Sequence, residues 1–257
     1  MKENHKQKTA TDAEESVPSG VELSPQLANV VAVAQRLLHM PDAEPFLVVL
    51  GAAAANIMPG APVWLMVVGP PSGGKTVLLM PLDSMDHVFA VATLTEAALL
   101  SGTAATEVTA DATGGLLKEM GAGGIILIKD FTSILSMQRD TRQAILAAFR
   151  ELHDGKWTRR LGVDGGKTLS WEGKLGIIAA CTEVIDMHHG VMAAMGERFV
   201  MYRLRPDEAH DEARTRQAID RAGTEIATQD ELSDAVARFV ASLVLPETTI
   251  DLSDHDK

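Results

Sequence analysis

The chain has 257 residues, 46% of them hydrophobic and only 4% aromatic, enough for one sizeable α/β core filled by Ala, Leu, Val and Ile, with a small helical appendage. A formal net charge of −12 argues against a protein that simply coats nucleic acid, although much of the acid lies after Pro206 and leaves room for a basic patch elsewhere. The single cysteine, Cys181, excludes an internal disulfide framework, no apolar run reaches bilayer length, and Met1 to Lys6 lack the apolar core of a signal peptide, so the expected compartment is the cytoplasm, with no membrane contact.

In chain order, residues 1–22 are polar and charged, with scattered Ser, Thr, Gly and Pro, and are expected to be a disordered leader. Ser24-Pro25 is an N-cap followed by an N1 proline, after which Leu27, Val30, Val31, Ala34, Leu37 and Leu38 recur at helical spacing. Pro45 opens a second helix over 46–57, stopped by Pro59-Gly60. Strands are predicted at 63–68, 88–92, 124–128, 175–180 and 199–203, separated by helices near 95–100, 114–120 and 139–153. This alternation predicts a mainly parallel five-stranded sheet covered on both faces, a three-layer sandwich over residues 23–205 with N-terminal helices. Residues 206–257 form an acidic helical tail or reduced lid, read as two helices broken near Gly223.

After the first strand stands Gly69-Pro70-Pro71-Ser72-Gly73-Gly74-Lys75-Thr76, followed by Val77, in the pattern G-x-x-x-x-G-K-T. Strand, glycine loop and helix start in this order are what a triphosphate-binding loop requires. The glycines let successive N–H groups turn toward phosphate oxygens, and the helix start adds partial positive charge. Lys75 is expected to reach the β- and γ-phosphates and the Thr76 hydroxyl to ligate Mg²⁺. Pro81 should end or kink the helix near Met80. Such a site also needs an acid at a neighbouring strand end. The run Ile125 to Ile128 leads into Lys129-Asp130, where two acids in succession are usual. Either Asp130 is the metal-site acid displaced by one residue, or it occupies the water-activating position and Lys129 replaces the metal-site acid.

With loop and strand in place, the chain resembles the AAA+ family of P-loop ATPases over about residues 46–205, especially helicase-type and remodelling members with a β-hairpin insertion. The resemblance implies a P-loop NTPase fold, ATP and Mg²⁺ as ligands, and assembly into a ring or hexamer of like subunits. It places Thr182, after the fourth strand, at the position that senses the γ-phosphate. It makes Arg198 the arginine offered to a neighbour's nucleotide, with Arg203 and Arg205 as substitutes, and Arg214 or Arg216 a lid arginine. The chain departs from the family in lacking the Asp-Glu pair and in having a short lid.

Residues 155–174 are the most basic segment, with Lys156, Arg159, Arg160, Lys167 and Lys174 on two β-prone arms around Asp164-Gly165-Gly166. Trp157 and Trp171 are expected to face each other. Exposed, these cations and tryptophans would grip DNA; with the tryptophans buried, the hairpin is a solvated structural element. Asp186, His188 and His189 lack a third spaced partner for a metal site, and Glu96 reads as a helix start. The sequence therefore leads to an ATP-hydrolysing, DNA-associated motor or switch, with a nucleotide-gated assembly module as the alternative. A small-molecule kinase ranks last, because the tail offers no Arg-rich lid.

Overall fold

The computed structural model describes residues 23–38, 40, 42–100, 115–161, 167–205, 216, 219, 223 and 225–243. The leader, the Asp164-Gly165-Gly166 turn, Arg214 and most of the first of the two tail helices lie outside them.

The fold is α/β, around a five-stranded parallel sheet. Its strands are β1 (Trp64–Val68), β2 (Val88–Val91), β3 (Gly123–Ile128), β6 (Lys174–Cys181) and β7 (Phe199–Arg203), in the order β2-β3-β6-β1-β7. The hairpin strands β4 (Lys156–Leu161) and β5 (Lys167–Glu172) form a separate antiparallel pair. Every strand expected for the main sheet is present within a residue or two.

Two helices come first, α1 (Pro25–Leu38) and α2 (Glu44–Ile57). The short α3 (Lys75–Leu79) runs straight into a 3-10 turn, Met80–Ser84. That change falls where Pro81, lacking an N–H, was expected to stop the helix. Next come α4 (Glu96–Leu99), α5 (Leu116–Met120), α6 (Thr132–Leu135), α7 (Arg139–His153) and α8 (His189–Met195). The last helix described is α9 (Glu225–Ala241). Thr95 caps α4 by accepting from the Ala98 N–H (3.0 Å), so Glu96 is a helix start as its sequence context indicates.

All five residues of β1 are buried, and their alternation divides the core. Trp64, Met66 and Val68 enter one cluster with α7 and the inner face of the hairpin. Leu65 and Val67 enter the other, with α1, α2, α3 and α9. Helices therefore cover both faces of the sheet. Trp64 anchors the first cluster: its indole N–H donates to the Leu175 carbonyl (2.7 Å), and its ring meets Phe149, His153 and Phe199. At the opposite edge from the glycine loop, Asn56 exchanges hydrogen bonds with both backbone groups of Val63 (2.8 and 2.9 Å). A Cβ at Gly176 would lie 2.4 Å from Asn56 Cγ, so only glycine lets α2 approach β6 there. The tail helix α9 packs on α1 and on the 3-10 turn after α3, which places it against the element that continues the glycine loop.

Candidate nucleotide site

The sheet order puts β1 between β6 and β7, so its carboxyl end opens at the point where the topology switches sides, the usual crevice for a ligand in such sheets. Gly69 continues the ladder by one residue: its N–H donates to the Cys181 carbonyl (3.2 Å). The chain then turns sharply, with Gly73 N–H donating to Pro70 O (3.1 Å). A Cβ on Gly73 would stand 3.0 Å from that same oxygen, so any other residue would have to push the turn open by a few tenths of an ångström. Ser72 has φ of 60° and Gly74, the N-cap of α3, has φ of 78°. Two such departures on either side of Gly73 turn the backbone into a concave arc.

Lys75 lies inside the arc. It is buried, and its ammonium donates to the carbonyls of Gly69 (2.9 Å) and Pro70. Burial lowers its pKa; the nearby Cys181, Asp130 and Glu183 oppose that shift. A buried ammonium whose hydrogen-bond partners among the described residues are the neutral carbonyls of its own loop suits an arriving anion, which would supply the missing charge. Thr76 and Val77 are exposed at the helix start, as is Pro71 in the loop. The residues present therefore fit a polyphosphate.

β3 delivers Lys129 and Asp130 to the same edge. Ile125 and Leu127 face the α3 side, and Lys129 follows them, pairing with Asp83 of the 3-10 turn at 2.6 Å. Asp130 is exposed; its Oδ1 accepts the Thr132 N–H (2.9 Å) and so starts α6. Its charge reaches Lys75, so capping and electrostatic influence on the loop coexist in one carboxylate. On the next strand, β6 ends at Cys181, whose buried thiol meets the Thr132 hydroxyl (3.7 Å) and is pushed up by burial. Thr182 follows, half-buried, and starts the 3-10 turn Glu183–His188. Lys75, Asp130 and Thr182 are thus brought to one strand edge from positions more than fifty residues apart.

Two groups of expected contacts are placed differently. Arg198 was expected to project toward a neighbouring subunit. Instead its Nη1 donates to Met195 O (2.9 Å), its Nη2 lies 3.5 Å from Asp154, and its Nε is buried without a partner among the described residues. The chain turns it inward because α8 ends at Met195, leaving a carbonyl for it to cap.

The hairpin likewise presents less than its sequence offers. Trp157 and Trp171 pair across the strands as expected, but both are buried in the core, and the indole of Trp171 donates to Gly121 O (2.6 Å). They are not available to stack on bases. Arg159 is held by Leu100 O (2.8 Å) and Glu96 (3.2 Å), and Lys174 caps α2 through Ala55 O and Met58 O. Alternation along the strands explains this: 157 and 159 face the core, whereas Lys156, Thr158 and Arg160 face outward beside Thr168 and Ser170. Lys156 is exposed near Glu172 (3.8 Å). The side chain of Lys167 lies outside the described residues.

The sequence reading did not single out Glu183 or the pairing of Arg203 with Asp186 (2.6 and 3.0 Å). An acid immediately after the strand-end Thr182 was the available signal for Glu183. The Asp186 carboxyl is held below its ordinary range by the Arg203 hydrogen bonds, so it is committed to an arginine. Among the described residues no group of three or more His, Cys, Asp or Glu side chains could hold a metal ion, and no helix is long and apolar enough to cross a membrane.

No protein-family model matches this chain, and no curated protein matches it. Among solved structures, the chain is similar to the A-form apo structure of the NrS-1 C-terminal region, with 12% identity and a TM-score of 0.41, over 93% of this chain and 50% of that one. It therefore spans half of that chain's length.

Proposed function

We propose that the chain binds a nucleoside triphosphate with Mg²⁺ at residues 69–76 and hydrolyses it, as a P-loop ATPase of AAA+ type working as a DNA-associated motor or switch. The observation that carries the reading is the buried Lys75 ammonium, held by the carbonyls of a glycine arc at the carboxyl end of β1. ATP rather than GTP follows from the family resemblance alone.

On this reading Lys75 exchanges its carbonyl partners for phosphate oxygens, and the loop N–H groups orient the chain of phosphates. The Thr76 hydroxyl would hold Mg²⁺, joined by the Asp130 carboxylate only in the first of its two registers; the ion would neutralise charge developing on the phosphoryl oxygens. Of the two registers for Asp130, the structure's geometry favours the second: Lys129 faces α3, where the metal-site acid would stand, and Asp130 follows it near Thr182. Asp130 would then draw the proton from the attacking water while Thr182 orients that water. DNA would meet the outward face of the hairpin through Lys156 and Arg160. Assembly into a ring would require Arg198 to leave Met195 O and Asp154 before serving a neighbour's site.

Calorimetry of MgATP binding together with phosphate release from one preparation tests the reading. Lys75→Ala should abolish turnover and weaken binding strongly. Equal turnover in the variant refutes the assignment.

The pairing of Lys129 with Asp83 favours a second reading, a nucleotide-gated assembly module with little hydrolysis. Firm MgATP binding with negligible phosphate release on the same preparation would select it.

A further inference from the structure

Arg203 ends β7 opposite Val68, the residue before Gly69. The main chain is fixed there: Leu204 N–H donates to Val68 O (2.8 Å), and the Leu204 side chain lies so close that a Cβ on Gly69 would be 3.0 Å from its own Cβ. On the other flank of β1, Gly69 is tied to Cys181 O (3.2 Å), after which Thr182, Glu183 and Asp186 follow. The Arg203 guanidinium, on the last residue of β7, reaches Asp186 in the 3-10 turn that follows β6. It makes a two-pronged pair, Nη1 to Oδ2 at 3.0 Å and Nη2 to Oδ1 at 2.6 Å. About half of each side chain is exposed (53% and 47%), so water competes for this pair and an ion can replace either partner.

We propose that Arg203 acts in cis on the terminal phosphate held by its own glycine loop, with Asp186 keeping the guanidinium in place until a triphosphate displaces it. This rests on the reading of residues 69–76 as a triphosphate loop. The guanidinium fork that fits a carboxylate fits two phosphoryl oxygens equally well, and the more highly charged phosphate competes effectively for it. Glu183, which follows Thr182, bears electrostatically on both Lys75 and Arg203. Arg198 is turned onto Met195 O and Asp154, whereas Arg203 sits on the strand residue paired with Val68, immediately before the loop. Arg203 is thus a catalytic residue of the subunit that binds the nucleotide, and Asp186 is a positioning residue.

The test is calorimetry of the full chain with MgATPγS and with MgADP, for the wild type, Arg203→Ala and Asp186→Asn. Arg203→Ala should weaken MgATPγS about tenfold, the loss of one charge-assisted contact, and leave MgADP within about twofold. Asp186→Asn should act in the opposite direction, tightening MgATPγS about two- to fivefold by removing the competing carboxylate. The preference for MgATPγS should persist at protein concentrations where sedimentation shows a monomer. If the pair is only a structural clasp, both variants will shift both nucleotides in the same direction, which overturns the proposal. A preference that arises only on assembly overturns the cis assignment. If the wild type binds neither nucleotide, the loop reading itself fails and the proposal with it; if it binds both and Arg203→Ala changes nothing, only the proposal fails.

Discussion

Replacing Ser72 by glycine should stabilise the protein, because Ser72 is the single non-glycine residue with positive φ among the described residues, at 60°. In that region the Cβ of an L-residue crowds the following carbonyl, at a cost of about 1–2 kcal/mol. Glycine removes the crowding, but the freer unfolded chain takes back about 0.5–1 kcal/mol. The balance is a gain of about 0.5–1 kcal/mol, which for a chain of this size raises Tm by roughly 1–4 °C. Ser72→Ala keeps the crowding and should lie near the wild type. Ser72→Val adds β-branching and should be destabilised by about 1 kcal/mol or more. Thermal unfolding of the three variants by circular dichroism, without nucleotide, gives the order Gly above Ser and Ala, with Val lowest. A Ser72→Gly variant that melts below the wild type would refute the reasoning, since it would mean that the left-handed turn is not the conformation of the free loop.

The other predictions concern the surroundings of the site. Trp171→Ala should destabilise by about 3–5 kcal/mol, from the lost core volume and the stranded Gly121 carbonyl, whereas Arg160→Ala should stay within about 0.5 kcal/mol; chemical denaturation of both separates buried from outward hairpin residues. If DNA binds the outward face, Arg160→Ala should also lower the slope of log affinity against log salt by about 1 in fluorescence anisotropy. The charge reversal Lys129→Asp with Asp83→Lys keeps an ion pair and places an acid at the end of β3; stability should change by less than about 1 kcal/mol, while nucleotide binding, followed by Mg²⁺ titration, should become more strongly Mg²⁺-dependent. Tyr202 has its phenol pushed up to about 12, by burial first and then by Glu44 and Asp42. The unfolded phenol titrates near 10, so between about pH 10 and 12 the unfolded state holds fewer protons and stability falls as pH rises. Tyr202→Phe should remove that part of the pH dependence in equilibrium unfolding; an unchanged slope counts against the assigned environment.

Much of the fold was legible because its signals are local. The run Trp64 to Val68 is buried along its whole length, and its apolar side chains alone mark it as an interior strand. Ser24-Pro25, Pro59-Gly60 and Pro81 punctuate helices through φ restriction and missing N–H groups, effects confined to a few neighbouring residues. The glycine loop and the Trp157–Trp171 pairing belong to the same class, being set by residue order and strand alternation.

Tertiary structure decided what depends on distant partners. Asp83 lies 46 residues from Lys129, yet their pairing turns Lys129 toward the layer that carries the loop. Arg159 and Lys174 read as surface cations until the fold brings them to carbonyl groups 59 and 119 residues away. Arg198 and Arg203 stand at the two ends of β7, but one caps α8 and the other pairs with Asp186 in the turn after β6. A short segment fixes its own backbone sterics and which of its faces is apolar; where a long charged side chain ends up depends on which carbonyls and carboxylates the packed layers leave within its reach, and only the folded chain determines that.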